Sequence, residues 1–243
     1  MIIRETDNFF ILIHQHDHGL LAGEIANYWG NANFTEPPHR LVLTAALHDL
    51  SWIESDTQLH WNDKENRPYD FTSLPLETRL PMYEKGLDKT EKITPYGGLL
   101  VSSHYSSFFK EEQGEEVRQF LKKEENRRGR WKEKFFDKPL DSDLHQLQLW
   151  DNLSLYICLN PPGTHKEQEH PWFKNGIQAV TKDEQKVTIH LRWLNERTVA
   201  LEPYPFKKSW STTLPYAKVR KSLGPDDPDV KKTFRQYIRF VPE

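Results

Sequence analysis

The sequence predicts a mainly α protein: a helical bundle with a small antiparallel β appendage. Three observations carry that expectation. Between His18 and Leu159, apolar residues recur at helical spacing in one segment after another. After Pro161-Pro162 the spacing becomes alternating, as in Val187, Ile189, Leu191 and Trp193. At the start, Met1 to Arg4 and Phe9 to Ile13 read as extended pieces around a Thr6-Asp7-Asn8 turn, where they can pair with the C-terminal strands. Charge shifts at the same boundary. Residues 1–164 carry 18 Lys and Arg against 26 Asp and Glu, whereas residues 165–243 carry 15 against 10. We therefore divide the chain into a helical domain over 1–164, with residues 1–13 extended, and a β-rich appendage over 165–243.

The elements follow in order. Asp17 is placed to cap a helix from His18 to Trp29, with Gly30 behind it. Leu20, Leu21, Ile25 and Tyr28 give that helix its apolar stripe. A second helix begins near Thr35, with Pro37 and Pro38 in its first turn. Arg40 to Leu50 is so rich in Leu, Val and Ala that it reads as buried. Periodicity vanishes from Ser51 to Pro75, and unstructured connections of that length are often functional. Helices are expected at Leu76 to Lys92, Tyr96 to Phe109, Glu111 to Phe136 and Asp141 to Leu159. Lys186 to Trp193, Thr198 to Leu201 and Thr233 to Val241 read as strands, the first two joined by a turn at Leu194-Asn195-Glu196.

Composition excludes several classes. With 8 Trp, 9 Tyr and 13 Phe the chain is not disordered. The apolar run Phe9 to Ile13 is too short to span a membrane or form a signal-peptide core. The one cysteine, Cys158, rules out an intrachain disulfide framework and a CxxC zinc site, and points to a reducing cytoplasm. A net charge of −3 gives no overall attraction to nucleic acid or acidic lipid. Lys122 to Lys138 holds eight basic and four acidic residues. Internal ion pairs on a solvated helix explain it better than a phosphate-binding patch.

The chemistry concentrates in a few residues. His48-Asp49 stands at the end of the apolar Arg40 to Leu50 segment, and a buried Asp needs a partner. Helix-terminal carbonyls add negative potential there, which suits a cation. Upstream lies His18, followed by the small residues Ala22, Gly23 and Ala26 that permit close helix packing. Downstream, Asp151 interrupts an apolar helix, and Ser103-His104-Tyr105 sits in another. His and Asp ligands gathered from separate helices would make a nitrogen and oxygen site suited to Zn, Mn, Fe or Ni. Gln15 and Asp17 are positioned to orient His18, although helix capping explains Asp17 equally well. Ser103 and Trp52 are further candidates for contact with the site or its ligand. The loop after His48-Asp49, with Trp61, Tyr69 and Asp70, is either a lid over the site or a packed connection.

These pieces resemble the HD-domain superfamily of metal-dependent phosphohydrolases. His18-Gly-Leu-Leu-Ala22 is similar to its first-histidine helix, Leu43 to Asp49 to its namesake helix, and Trp150-Asp151-Asn152 to the helix bearing its last aspartate. More narrowly, Gln15-His-Asp17-His18, Tyr28-Trp29-Gly30, Leu100-Val-Ser-Ser-His104 and Trp150 to Tyr156 resemble the bacterial family known as domain of unknown function 3891. The superfamily resemblance implies an HD-like bundle with His18, His48, Asp49 and Asp151 as metal ligands. Binuclear members usually place two further histidines before the last aspartate; here only His104 fits well, with His60 and His145 weaker candidates, so one divalent ion is expected. Leu50-Ser51-Trp52 replaces the Gly-Lys that often follows the HD pair, so no cation stands beside the metal from that segment.

The expected function is hydrolysis of a small phosphate ester or nucleotide by a metal-activated water, with Asp49 taking the proton and His104 contacting substrate. An iron oxygenase of a small organic molecule is the alternative. A non-catalytic metal- or ligand-binding module is a third reading, with a homo-oligomer left open. Neither nucleic acid nor membrane is an expected partner.

Overall fold

The computed structural model describes residues 1–109, 114–135 and 137–243. In chain order the elements are β1 (Ile2–Glu5), β2 (Phe9–Ile13), α1 (Gln15–Tyr28), α2 (His39–Leu47), α3 (Ile53–Asp56), β3 (Trp61–Asn62), β4 (Arg67–Pro68), α4 (Leu76–Ile93), α5 (Pro95–Ser106), α6 (Glu115–Lys132), α7 (Leu140–Leu159), β5 (Ile177–Val180), β6 (Lys186–Asn195), β7 (Thr198–Glu202), β8 (Trp210–Arg220) and β9 (Phe234–Pro242).

This is an α/β protein, which corrects the expectation of a mainly α, all-helical bundle with a small β appendage. The structure is 47% helix and 23% strand, and all its strands but the short β3–β4 pair form one large curled sheet. Seven strands join in the order β1-β2-β8-β9-β7-β6-β5. All neighbours are antiparallel except β7 and β9, which run parallel with Val199 opposite Phe240. The N-terminal strands do pair with C-terminal ones: Phe10 lies opposite Val219. Two strands of this sheet escaped the sequence, as did the short β3–β4 pair. β5 is only four residues long, and β8 carries Pro215 and a broken alternation.

Helices pack on the sheet through one continuous core. It runs from Ile2 and Ile13 through Leu21, Ala45, Leu100 and Trp150 to Ile189, Leu201 and Phe240. A smaller cluster under the 59–71 loop joins Phe10, Leu12 and Val219. Burial on both faces explains why Phe9 to Ile13 is uniformly apolar rather than alternating. A third cluster, including Tyr83, Leu87, Tyr105 and Phe120, fastens α4, α5 and α6 together.

Helix boundaries differ from expectation where polar groups intervene. α1 begins at Gln15, so Asp17 lies inside the first turn and pairs with His14, 3.4 Å away, instead of capping. The Gln15 N–H donates to Asp56 at 2.6 Å. The expected helix over Glu111 to Phe136 corresponds to α6; Glu111 to Gln113 and Phe136 lie outside the described residues. Three of its basic residues meet acids of α4: Arg127 pairs with Asp88 and Glu91 as well as with Glu124 of α6, Lys123 with Glu84, and Arg130 with Glu91. No helix among the described residues is long and apolar enough to cross a membrane.

Candidate metal centre

Two close helix contacts build the site. α1 lies against α2 at Gly23, where a Cβ would come within 2.6 Å of the Ala46 Cβ. The small residues at this spacing serve the close packing the sequence suggests. α2 ends at Leu47, and His48 forms its C-cap. Asp49 has already left the helix, with φ −107° and ψ 26°, and leads into a 3-10 turn over Leu50–Trp52. That unwinding lets two adjacent residues converge, which successive positions of a regular helix, about 100° apart, would not favour. α4 then lies on this turn: a Cβ on Gly86 would fall 2.0 Å from the Ser51 Oγ.

The structure brings His18, His48, Asp49, His104 and Asp151 together, all buried. His18 Nε2 stands 2.9 Å from Asp151 Oδ1 and 3.6 Å from Asp49 Oδ2. His48 Nε2 stands 3.3 Å from the same Asp151 oxygen and 3.6 Å from the same Asp49 oxygen. His104 Nε2 lies 3.5 Å from the other Asp151 oxygen, Oδ2.

The imidazole tautomers follow from their outer partners. His48 Nδ1 is 2.7 Å from the Ala45 carbonyl, which only accepts, so Nδ1 carries the proton. Ser154 Oγ donates to the Asp151 carbonyl at 2.9 Å, and is left to accept from His18 Nδ1 at 2.7 Å. In neutral imidazoles, both Nε2 atoms therefore present lone pairs to the carboxylates. His48 Nε2 is buried without a hydrogen-bond partner. Lone pairs facing lone pairs at these distances call for a positive charge between them, either a proton or a metal ion. Metal bonds of about 2.1 Å place neighbouring ligand atoms about 3.0–3.4 Å apart, close to the separations found. His18, His48 and Asp49 offer one group of ligand atoms that could hold an ion, and His48, His104 and Asp151 a second.

Protonation reflects the same geometry. Burial opposes charge on His48, but Asp49 and Asp151 outweigh it and raise its pKa to about 9. Burial also opposes the charge of Asp151, yet the His18 and His48 imidazoles that face it hold its carboxyl well below the usual range. His104 is lowered to about 4 by burial, against the pull of Asp151.

The centre opens into a cavity of about 480 Å³. Gln15 and Trp52 line it, and the Gln15 Oε1 has no hydrogen-bond partner among the described residues. Asp17 and Ser103 are not among its lining residues. Ser103 donates back to the Leu99 carbonyl at 3.1 Å and lines a separate cavity beside Arg128. Of the 52–71 loop, Phe71 reaches the cavity wall, whereas Trp61 packs on Phe10 and Asp70 caps a turn at Thr72 and Ser73.

Several residues escaped the sequence reading. Tyr105 places its hydroxyl 2.8 Å from the His48 carbonyl, 3.2 Å from Asp49 Oδ1 and 3.1 Å from Ser51 Oγ. Ser154 was legible only as a polar residue three positions after Asp151 in an apolar helix. Arg79 and Tyr83 come from α4, and Trp172 from a short turn beyond residue 164.

Fold and site together define an α/β protein with a buried His/Asp centre able to hold a cation at the floor of an aromatic-walled cavity. The chain belongs to the family described as protein of unknown function (DUF3891), which matches residues 1–221. No curated protein and no solved structure matches it.

Proposed function

We propose that the protein is a metal-dependent phosphohydrolase acting on a small phosphate ester, with one divalent ion held by His18, His48, Asp49 and Asp151. The observation that carries this reading is the convergence of two Nε2 lone pairs, their tautomers set by Ala45 and Ser154, on the Asp49 and Asp151 carboxylates. The order His18, His48-Asp49, Asp151 along the chain also favours kinship with the HD superfamily.

A bound divalent ion would lower the pKa of a water and draw charge from a phosphoryl oxygen. The protein supplies the rest. Asp49 accepts the proton released, its other oxygen steadied by Tyr105. His104, kept neutral by burial, offers a hydrogen bond to a substrate oxygen. The cavity is within the usual size range for small-molecule sites.

The test is elemental analysis of protein purified without a His tag or added metal, beside a His48→Ala/Asp49→Ala variant. The expected result is about one equivalent of Mn, Ni, Zn or Fe, lost in the variant, with metal-dependent release of phosphate from a panel of monoesters. Absence of metal from both proteins, and of hydrolysis after reloading, overturns the reading. The aromatic walls, with Trp52, Phe108 and Trp172, favour a second reading as an iron oxygenase. About two equivalents of iron and oxygen uptake with an organic substrate would select it.

A further inference from the structure

The sequence offers no cation beside His48-Asp49, but the fold brings one from another element. Among the described residues, Arg79 is the one Lys or Arg that lines the cavity. It lies one helical turn before Tyr83, so both occupy the same face of α4. Tyr83 packs at 4.3 Å on Tyr105, the rings tilted by 35°, and the Tyr105 hydroxyl reaches Asp49. Four residues of helix put the Arg79 and Tyr83 backbones about 6 Å apart along α4.

Arg79 is held in place, and among the described residues no carboxylate neutralises its charge. Nη1 donates to the Phe71 carbonyl at 3.0 Å, and the guanidinium sits 5.8 Å from the centre of the Phe109 ring. Nε is buried without a hydrogen-bond partner, and no ion pair to a carboxylate forms among the described residues. A cation kept this way on a cavity wall is prepared for an anion, because little further ordering is needed on binding. Around it the wall is apolar. Phe71 and Trp172 meet edge to face at 6.2 Å, and Phe108 packs on His104 at 4.7 Å. Trp172 is 55% exposed and Phe108 48%, so both present ring surface to solvent.

We propose that Arg79 is a substrate-binding residue that grips the anionic oxygens of an organic phosphate, whose flat apolar body rests against Phe71, Phe108 and Trp172. This names a substrate class, aryl or similarly planar phosphate monoesters, and it rests on the hydrolase reading above.

The probe is phenylphosphonate, which keeps the charge and ring but has no ester bond to hydrolyse. Its binding is measured by calorimetry on chelator-treated protein, wild type beside Arg79→Gln and Arg79→Lys. The glutamine variant is expected to bind on the order of tenfold or more weakly, and the lysine variant to recover part of the loss. Equal affinity in wild type and Arg79→Gln overturns the proposal, as does equal loss in both variants, which would mark a structural role. Absence of binding to the wild type overturns it as well. The two readings fail separately. Arg79-dependent binding in a protein that takes up no metal sinks the hydrolase and leaves the anion pocket. Metal-dependent hydrolysis with an unchanged KM in Arg79→Gln does the reverse.

Discussion

Ser154 Oγ lies 2.7 Å from His18 Nδ1 and, through the same hydroxyl, donates to the backbone of Asp151. One side chain on α7 thus fixes the imidazole of α1 and ties it to the carboxylate it faces. Ser154→Ala should leave the fold intact and weaken metal binding by about 10–100-fold, the usual effect of losing a group that orients a ligating histidine. Competition with a chromophoric chelator measures this. An affinity equal to wild type would remove Ser154 from the account.

Metal should also stabilise the fold. An ion at a hundred times its dissociation constant adds about 2.7 kcal/mol, or roughly 5–10 °C in melting temperature for a chain of this size. Asp151 touches three histidines, so Asp151→Asn should abolish the shift. A thermal scan with and without Mn or Zn decides it, and an equal rise in the variant would place the ion elsewhere.

Gly86 marks where α4 presses on the turn that carries Asp49. A Cβ there meets Ser51 backbone and side chain at 2.4 Å or less. Gly86→Ala should cost about 1–3 kcal/mol, as overpacking does, and should disturb Asp49 through Ser51 and Tyr105. Denaturant midpoints report the first effect and metal affinity the second. An undiminished midpoint would mean the contact relaxes freely.

Cys158 is fully buried, and that burial, opposed by Arg4, pushes its thiol pKa up to about 12. A thiol raised this far stays protonated at neutral and mildly alkaline pH, where only the thiolate is nucleophilic. A disulfide reagent at pH 8 should therefore find no reactive thiol in the native protein and one after denaturation. Fast reaction of the native form would contradict this burial.

The centre was more legible than the fold. His18, His48, Asp49 and Asp151 are polar residues stranded in apolar helices, and burial of such groups needs a reason that sequence alone can register. Arg79 gave no such signal, because α4 is amphipathic and an arginine on it reads as solvated. Trp172 sits in a short turn with no period to follow. The sheet was underestimated because its members are scattered. β1 and β2 are separated from β8 by all seven helices, and Pro215 hides β8 from an alternation search. Asp17 and Ser103 looked like neighbours of the site by adjacency in sequence, yet the helical turn carries each away from the cavity.

The pairing of Phe10 with Val219 has a consequence for biosynthesis. The strand that completes the edge of β2 is made roughly 200 residues after it, and such distant contacts make folding slow. Until then the β1–β2 hairpin offers an open edge with Phe10 and Leu12 uncovered, a surface that invites association with other nascent chains. The protein's vulnerable interval is therefore translation itself, and slowing synthesis of its last third should lengthen it.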